Sequence, residues 1–128
     1  MRQTNWAFAP SHGRKIKKAP EEYVQKVNPL EKNPKNLKKG KLLYMVRAKT
    51  LQCKHCHGIK GDGQGEMASE SFPAPGNFTC GEMMDAIPDG QLFWAISNGV
   101  PHTSMPSYDT LKVQQIWHLI LYIRDFAK

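Results

Sequence analysis

A chain of 128 residues and 14.5 kDa has the length of one domain, and a domain of that size buries only roughly two thirds of its unfolded surface, so it gains much from any bound group that enlarges its core. Hydrophobic residues make up 40% of it, but no apolar run reaches the ~18 residues of a membrane span, so a soluble chain without a transmembrane segment is expected. The net charge of +7 is uneven: residues 1–52 hold thirteen Lys and Arg against three acids, whereas residues 53–128 hold five against eight. That asymmetry suits a basic arm or face meeting an acidic partner, and no motif or aromatic interleaving supports nucleic acid.

Residues 1–32 lack sustained periodicity, contain Pro10, Pro20 and Pro29, and carry the cluster Arg14-Lys15-Ile16-Lys17-Lys18. They read as an extended basic arm, with Glu21 to Val27 making a turn or two of helix after Pro20 as the first helical residue. A solvated, disordered tail is the competing reading of such a charge run, yet Trp6 and Phe8 are of little use to a purely solvating tail. No basic-then-apolar leader opens the chain, so either a signal has been removed or export is arranged otherwise.

A helix is announced by Asn33 as N-cap with Pro34 at its first position, followed by Leu37, Gly40, Lys41, Tyr44 and Ala48 on one stripe and an end near Arg47 to Thr50. Gly40 inside a helix costs ~1 kcal/mol relative to Ala, which suggests that another element crosses close to its backbone. The last helix is the candidate. From Val113 to Ala127 the residues Val113, Ile116, Trp117, Ile120, Leu121 and Ile123 to Phe126 recur at helical spacing, with Leu119 and Tyr122 adjoining.

Cys53-Lys54-His55-Cys56-His57 is the most specific stretch of the chain. C-x-x-C-H places two thiols on one helical turn, where both can add across the vinyl groups of a haem, and sets a histidine directly beneath the macrocycle those thioethers fix. A zinc site would want a second ligand pair beyond His55, His57 and Cys80, and the sequence has no second C-x-x-C or H-x-x-x-H. A dithiol redox motif would sit in a βαβ unit, and no β-rich alternation surrounds residue 53.

Gly58 to Gly65 is glycine-rich without the spacing of a phosphate cradle, so its glycines serve tight turns. Phe72 to Asn77 reads as an irregular loop with Pro73 and Pro75. Asp89 is placed to cap a short helix through Leu92, Phe93 and Ile96 that Asn98-Gly99 ends. No strand is needed. Beyond that helix Met105 stands before Pro106 in a loop that can fold back over the opposite face of a haem.

Together the G-x-x-x-Y of Gly40 and Tyr44, the C-x-x-C-H, the N-G-x-x-x-x-x-M-P of Asn98 to Pro106 and the aromatic closing helix make the chain resemble, from about Asn33 to Phe126, a class I cytochrome c of the bacterial monohaem His/Met kind. The resemblance implies an all-α cytochrome c fold over residues 33–128, its terminal helices crossing where Gly40 and Tyr44 meet Leu119 and Tyr122, with 1–32 as a basic arm outside the family's core. It implies one covalent haem c on Cys53 and Cys56, His57 and Met105 as iron ligands, Tyr44, Trp94 and Asn98 as further haem-binding residues, and a carbonyl of the 73–75 stretch, Pro75 by preference, as acceptor for the His57 Nδ1 proton. Cys80 departs from the pattern, as a buried thiol, a surface-reactive one, a partner for another chain, or a competing thiolate ligand.

The function so implied is that of a single-electron carrier between redox partners, itself no enzyme, in the periplasm or on the outer face of the cytoplasmic membrane. The alternatives are a haem subunit docked by its arm in a larger oxidoreductase, and a haem sensor or gas-binding protein, which would need an open sixth position on iron.

Overall fold

A computed structural model describes residues 8–9, 14–15, 18–47, 53–70, 76–100 and 105–127. Trp6, Ile16 and Lys17 of the basic cluster, residues 48–50 where the first long helix is expected to end, and Pro73 to Pro75 lie outside those residues. Within the arm, β1 (Phe8–Ala9) and β2 (Arg14–Lys15) form a two-residue antiparallel pair, Phe8 opposite Lys15 and Ala9 opposite Arg14. The sequence carried no signal for it, because two residues are too few to show alternation. The rest is helical: α1 (Glu21–Val24), α2 (Pro34–Leu42), α3 (Lys54–His57), α4 (Gly81–Asp85), α5 (Asp89–Asn98) and α6 (Val113–Asp125). The architecture is all-α apart from that two-residue pair.

α2 begins as its sequence dictates. The Asn33 side chain accepts from the Asn36 amide at 2.8 Å and Pro34 takes the first turn, where its missing N–H costs nothing. The helix runs on as a wider π turn over Leu43–Arg47. Its inner face presents Gly40, Leu43 and Tyr44, whereas Lys41, assigned to the buried stripe on spacing, is exposed. α6 crosses at Gly40. A Cβ there would collide with the carbonyl oxygen of His118 and lie 2.8 Å from the Tyr122 Cβ, so the glycine sets how closely the two backbones approach. Leu119 is fully buried, but the backbone that faces Gly40 is that of His118. The His118 ring ties the pair again, its Nδ1 2.8 Å from the Gln114 carbonyl and its Nε2 3.2 Å from the Asn36 side-chain oxygen.

Ile116, Trp117, Leu119, Ile120 and Ile123 of α6 join Leu43, Tyr44, Cys53, Met83, Met84, Ile87, Phe93, Ile96 and Tyr108 in one core. Val113, at the first position of α6, is exposed instead of continuing the stripe. The Gln115 side chain reaches back to the Lys112 amide at 2.8 Å and satisfies a donor at the helix start.

α5 differs from expectation at its start. Pro88 occupies the N-cap and Asp89 the first helical position. Asp89 instead makes two distant contacts: one carboxylate oxygen accepts from the Asn28 amide at 3.0 Å, the other from Arg124 Nε at 2.6 Å. Arg124 also donates to the Met84 carbonyl at 3.0 Å and the Ile87 carbonyl at 2.5 Å. One arginine of α6 thus closes the end of α4 and holds the start of α5. Gly99 ends α5 at φ 76°.

The second half of the arm is laid onto this body. Pro20 serves as N-cap of α1, with Glu21 the first helical residue. Ala19 is buried and donates to Gln91 Oε1 at 2.6 Å. Tyr23 packs on Phe93 with ring centroids 6.2 Å apart, and Asn28 Nδ2 donates to the Trp117 carbonyl at 2.9 Å. The Tyr23 carbonyl lies directly against Gly90.

Candidate functional site

Cys53, Cys56 and His57 lie on the single turn of α3, with the His57 amide bonded to the Cys53 carbonyl at 3.0 Å. Cys53 points into the apolar core and is buried, while Cys56 and His57 are half-buried. Burial pushes the Cys53 thiol up to about 12, since a thiolate there would lose its water. Two thiols on one side of a turn and an imidazole at its end form a donor set suited to a covalently held haem.

The chain after the motif folds back on it. Gly58 ends α3 at φ 88°, a left-handed conformation that side chains resist. The Gly63, Gly65 and Met67 amides then donate to the His57, Cys56 and His55 carbonyls at 2.8, 3.0 and 2.7 Å. The glycine-rich stretch therefore makes tight turns, as expected, and in doing so satisfies the motif's own backbone.

The His57 ring is held from two directions. Its Nδ1 is 3.2 Å from the Gly76 carbonyl oxygen, one residue beyond Pro75, which lies outside the described residues. A carbonyl can only accept, so Nδ1 carries the proton and the Nε2 lone pair is the one suited to a metal. The Phe78 ring stacks on the imidazole, centroids 4.3 Å apart and planes within 20°. Neither Gly76 nor Phe78 had a signal in the sequence beyond an aromatic that follows a proline-rich loop.

Tyr44, fully buried, donates its hydroxyl to the Gly58 carbonyl at 2.7 Å. Met105 is half-buried and packs on the core cluster that holds Cys53 and Tyr44. Its loop is fixed to the end of α5 by the Tyr108 amide on the Ile96 carbonyl at 2.9 Å and by the Ser107 hydroxyl on the Ser97 carbonyl at 3.0 Å. Residues 101–104 are outside the described residues. Trp94 is half-buried, and exposed Asn98 keeps its amide on its own helix, on the Trp94 carbonyl at 3.2 Å and Ser97 Oγ at 2.9 Å. Cys80 is half-buried as N-cap of α4, with its carbonyl accepting from the Met84 amide at 3.0 Å.

The donor set, the imidazole tautomer and the apolar bed under Cys53 and Met105 fit a haem. Comparison with known proteins bears on the same residues. The family model described as Cytochrome c matches residues 37–127, which take in the motif, Met105, α6 and α2 from Leu37 on. No curated protein matches the chain. Among solved structures, a chain of the reducing HAO-like protein complex of Kuenenia stuttgartiensis superimposes with a TM-score of 0.67 at 26% identity, over 82% of this chain and 49% of that one. The present chain thus spans about half the length of that neighbour.

Proposed function

Because this chain belongs to the cytochrome c family, whose domain carries electrons on haem, we propose that it is a monohaem c-type cytochrome that passes single electrons between redox partners. Cys53 and Cys56 would hold one haem through thioethers, and His57 and Met105 would supply its iron ligands. The haem supplies a one-electron couple whose potential an imidazole and a thioether together raise. The chain's own part is to keep the ligands still. The observation that carries the reading is the His57 Nδ1 proton on the Gly76 carbonyl, 3.2 Å away, at the end of a C-x-x-C-H turn: that contact selects the tautomer iron needs and fixes where it points.

The test is the pyridine haemochrome of the purified protein. One haem per 14.5 kDa chain that survives denaturing electrophoresis is expected, lost when Cys53 and Cys56 are both replaced by Ala. Haem extractable by acidic solvent from the parent would end the proposal. A ferrous parent that binds carbon monoxide near neutral pH would point to the gas-binding reading.

A second reading, a haem subunit docked in a larger oxidoreductase, is supported by the fastening of Ala19, Tyr23 and Asn28 onto α5 and α6, which gives the basic segment before them a firm root. The solved neighbour is itself a chain of a complex. Co-purification with a partner through moderate salt separates this from a free carrier. In either case Lys26, Lys32, Lys35, Lys38, Lys39 and Lys41 are exposed and suit an acidic docking surface, so the reaction rate with the natural partner should fall as ionic strength rises. Among the described residues no helix is long and apolar enough to cross a membrane, and c-type cytochromes of bacteria typically work outside the cytoplasm; we place this one in the periplasm or on the outer face of the cytoplasmic membrane.

A further inference from the structure

We infer that Phe78 is a positioning residue for the iron ligand His57, setting the plane of its imidazole from the face while Gly76 sets its direction from the edge. The inference rests on the reading of His57 as a ligand. A histidine ring held by one in-plane hydrogen bond can still roll about the line of that bond. The contact between Nδ1 and the Gly76 carbonyl, 3.2 Å, leaves that roll open. An aromatic ring stacked at 4.3 Å and 20° closes it, because rolling would drive the imidazole edge into the ring. The stack lies on the face of the imidazole and so leaves the in-plane Nε2 lone pair clear of Phe78.

Phe78 is itself fixed on both sides. Its amide donates to the Gly61 carbonyl at 2.6 Å, which joins it to the loop that folds back on the haem motif. Its ring is backed by Phe126, centroids 6.5 Å apart and planes within 19°. Phe126 in turn covers Gly61, where a Cβ would lie 2.5 Å from the phenyl ring, and it packs on Tyr122 at 4.9 Å. A column His57–Phe78–Phe126 therefore connects the imidazole plane to the C-terminal helix region. The plane of an axial imidazole relative to the macrocycle governs how unpaired spin spreads over ferric haem, which gives the inference a readout that ordinary loss of stability does not move.

The experiment is proton NMR of the ferric holoprotein, reading the hyperfine-shifted haem methyl resonances in the parent, Phe78→Leu, Phe78→Tyr and Phe126→Leu. Phe78→Leu should keep its covalent haem and low-spin spectrum but show a redistributed methyl pattern. Phe78→Tyr should keep the parent pattern, and Phe126→Leu should move it in the same direction as Phe78→Leu by less. A parent-like pattern in Phe78→Leu, or a Phe78→Tyr pattern that matches Phe78→Leu, overturns the inference. If Phe78→Leu does not mature, Phe126→Leu decides, and a pattern identical to the parent overturns it. Failure of the underlying reading looks different: a His57→Ala holoprotein with the parent's low-spin spectrum would remove His57 as ligand whatever the Phe78 variants do.

Discussion

The hydroxyl of Tyr44 donates to the carbonyl oxygen of Gly58 at 2.7 Å, which connects the helix crossing to the residue that ends the haem-motif turn. Tyr44 has no exposed surface and lies edge-on to Tyr122, centroids 5.4 Å apart. The bond is one of a buried pair, so its loss leaves a desolvated carbonyl without its donor. Tyr44→Phe should destabilise the holoprotein by ~1–3 kcal/mol, seen as a fall of several degrees in thermal midpoint. An unchanged midpoint would mean the Gly58 carbonyl finds another donor.

The same burial predicts an alkaline limit. Tyr44, Tyr108 and Tyr122 are all raised above the ordinary phenol value, chiefly by desolvation. A group whose folded value is raised stabilises fully below its unfolded value, ~10 for tyrosine, and that contribution is lost as pH climbs beyond it. Denaturant titrations should therefore give stability that is flat with respect to tyrosine up to pH ~10 and falls above it. The fall should be shallower in Tyr44→Phe.

Replacing Met105, the proposed second ligand, tests ligation apart from attachment. Met105→Ala should retain covalent haem, lose the methionine-to-ferric-iron charge-transfer band, bind carbon monoxide when reduced, and drop in potential by on the order of a few tenths of a volt, within the ~0.8 V that axial ligands and their surroundings span. Replacing Cys80 by Ser should leave that band in place. A parent that lacks the band and gains it in Cys80→Ser would instead have a thiolate as its sixth ligand.

At the helix crossing, Gly40→Val sets a Cβ against the His118 carbonyl and adds two methyls to it. Overpacking of a well-filled contact costs ~1–3 kcal/mol, and here a carbonyl is the obstacle and cannot swing aside, so the upper end is expected by equilibrium unfolding. A Gly40→Ala variant should fall between Gly40→Val and the parent.

The junction of Asp89 with Asn28 and Arg124 has its own signature. Both charged side chains are partly exposed, 22% and 30%, so screening reduces the ion pair, but Asp89→Ala also strands the Asn28 amide. About 1–2 kcal/mol of lost stability is expected. Limited trypsinolysis is the sharper measurement: cleavage after Lys26, which lies between the fastening points Tyr23 and Asn28, should speed up in Asp89→Ala. Equal rates in both proteins would mean the segment is held without Asp89.

Elements with local signals were legible in the sequence. Asn33 and Pro34 fixed the start of α2, the spacing of Cys53, Cys56 and His57 fixed the donor turn, and Gly40 inside a helix pointed to the crossing with α6. Asp89 looked like a cap because it precedes an apolar run, yet its partners are Asn28 and Arg124, and pairings across such distances leave no periodicity to read. Gly76 and Phe78 were missed for the same reason. A carbonyl acceptor is available at every residue, so composition favours none, and a stack depends on loop geometry that a proline-rich sequence does not specify. The stretch before Asn33 read as separate because it is polar and proline-rich. Ala19, Tyr23 and Asn28 attach it to α5 and α6 through an amide, a ring and two hydrogen bonds, and Lys32 adds an ion pair to Asp125.

The glycine loop after the haem motif bonds back at intervals of six, nine and twelve residues, from Gly63 to His57, Gly65 to Cys56 and Met67 to His55. Closing loops that short costs little chain entropy, and contacts so near in sequence form early and reform fast. The turn that bears the donors can thus assemble from its own neighbourhood before α2 and α6 meet. The crossing of α2 and α6 at Gly40 then closes over a turn whose backbone is already satisfied by its own sequence neighbours.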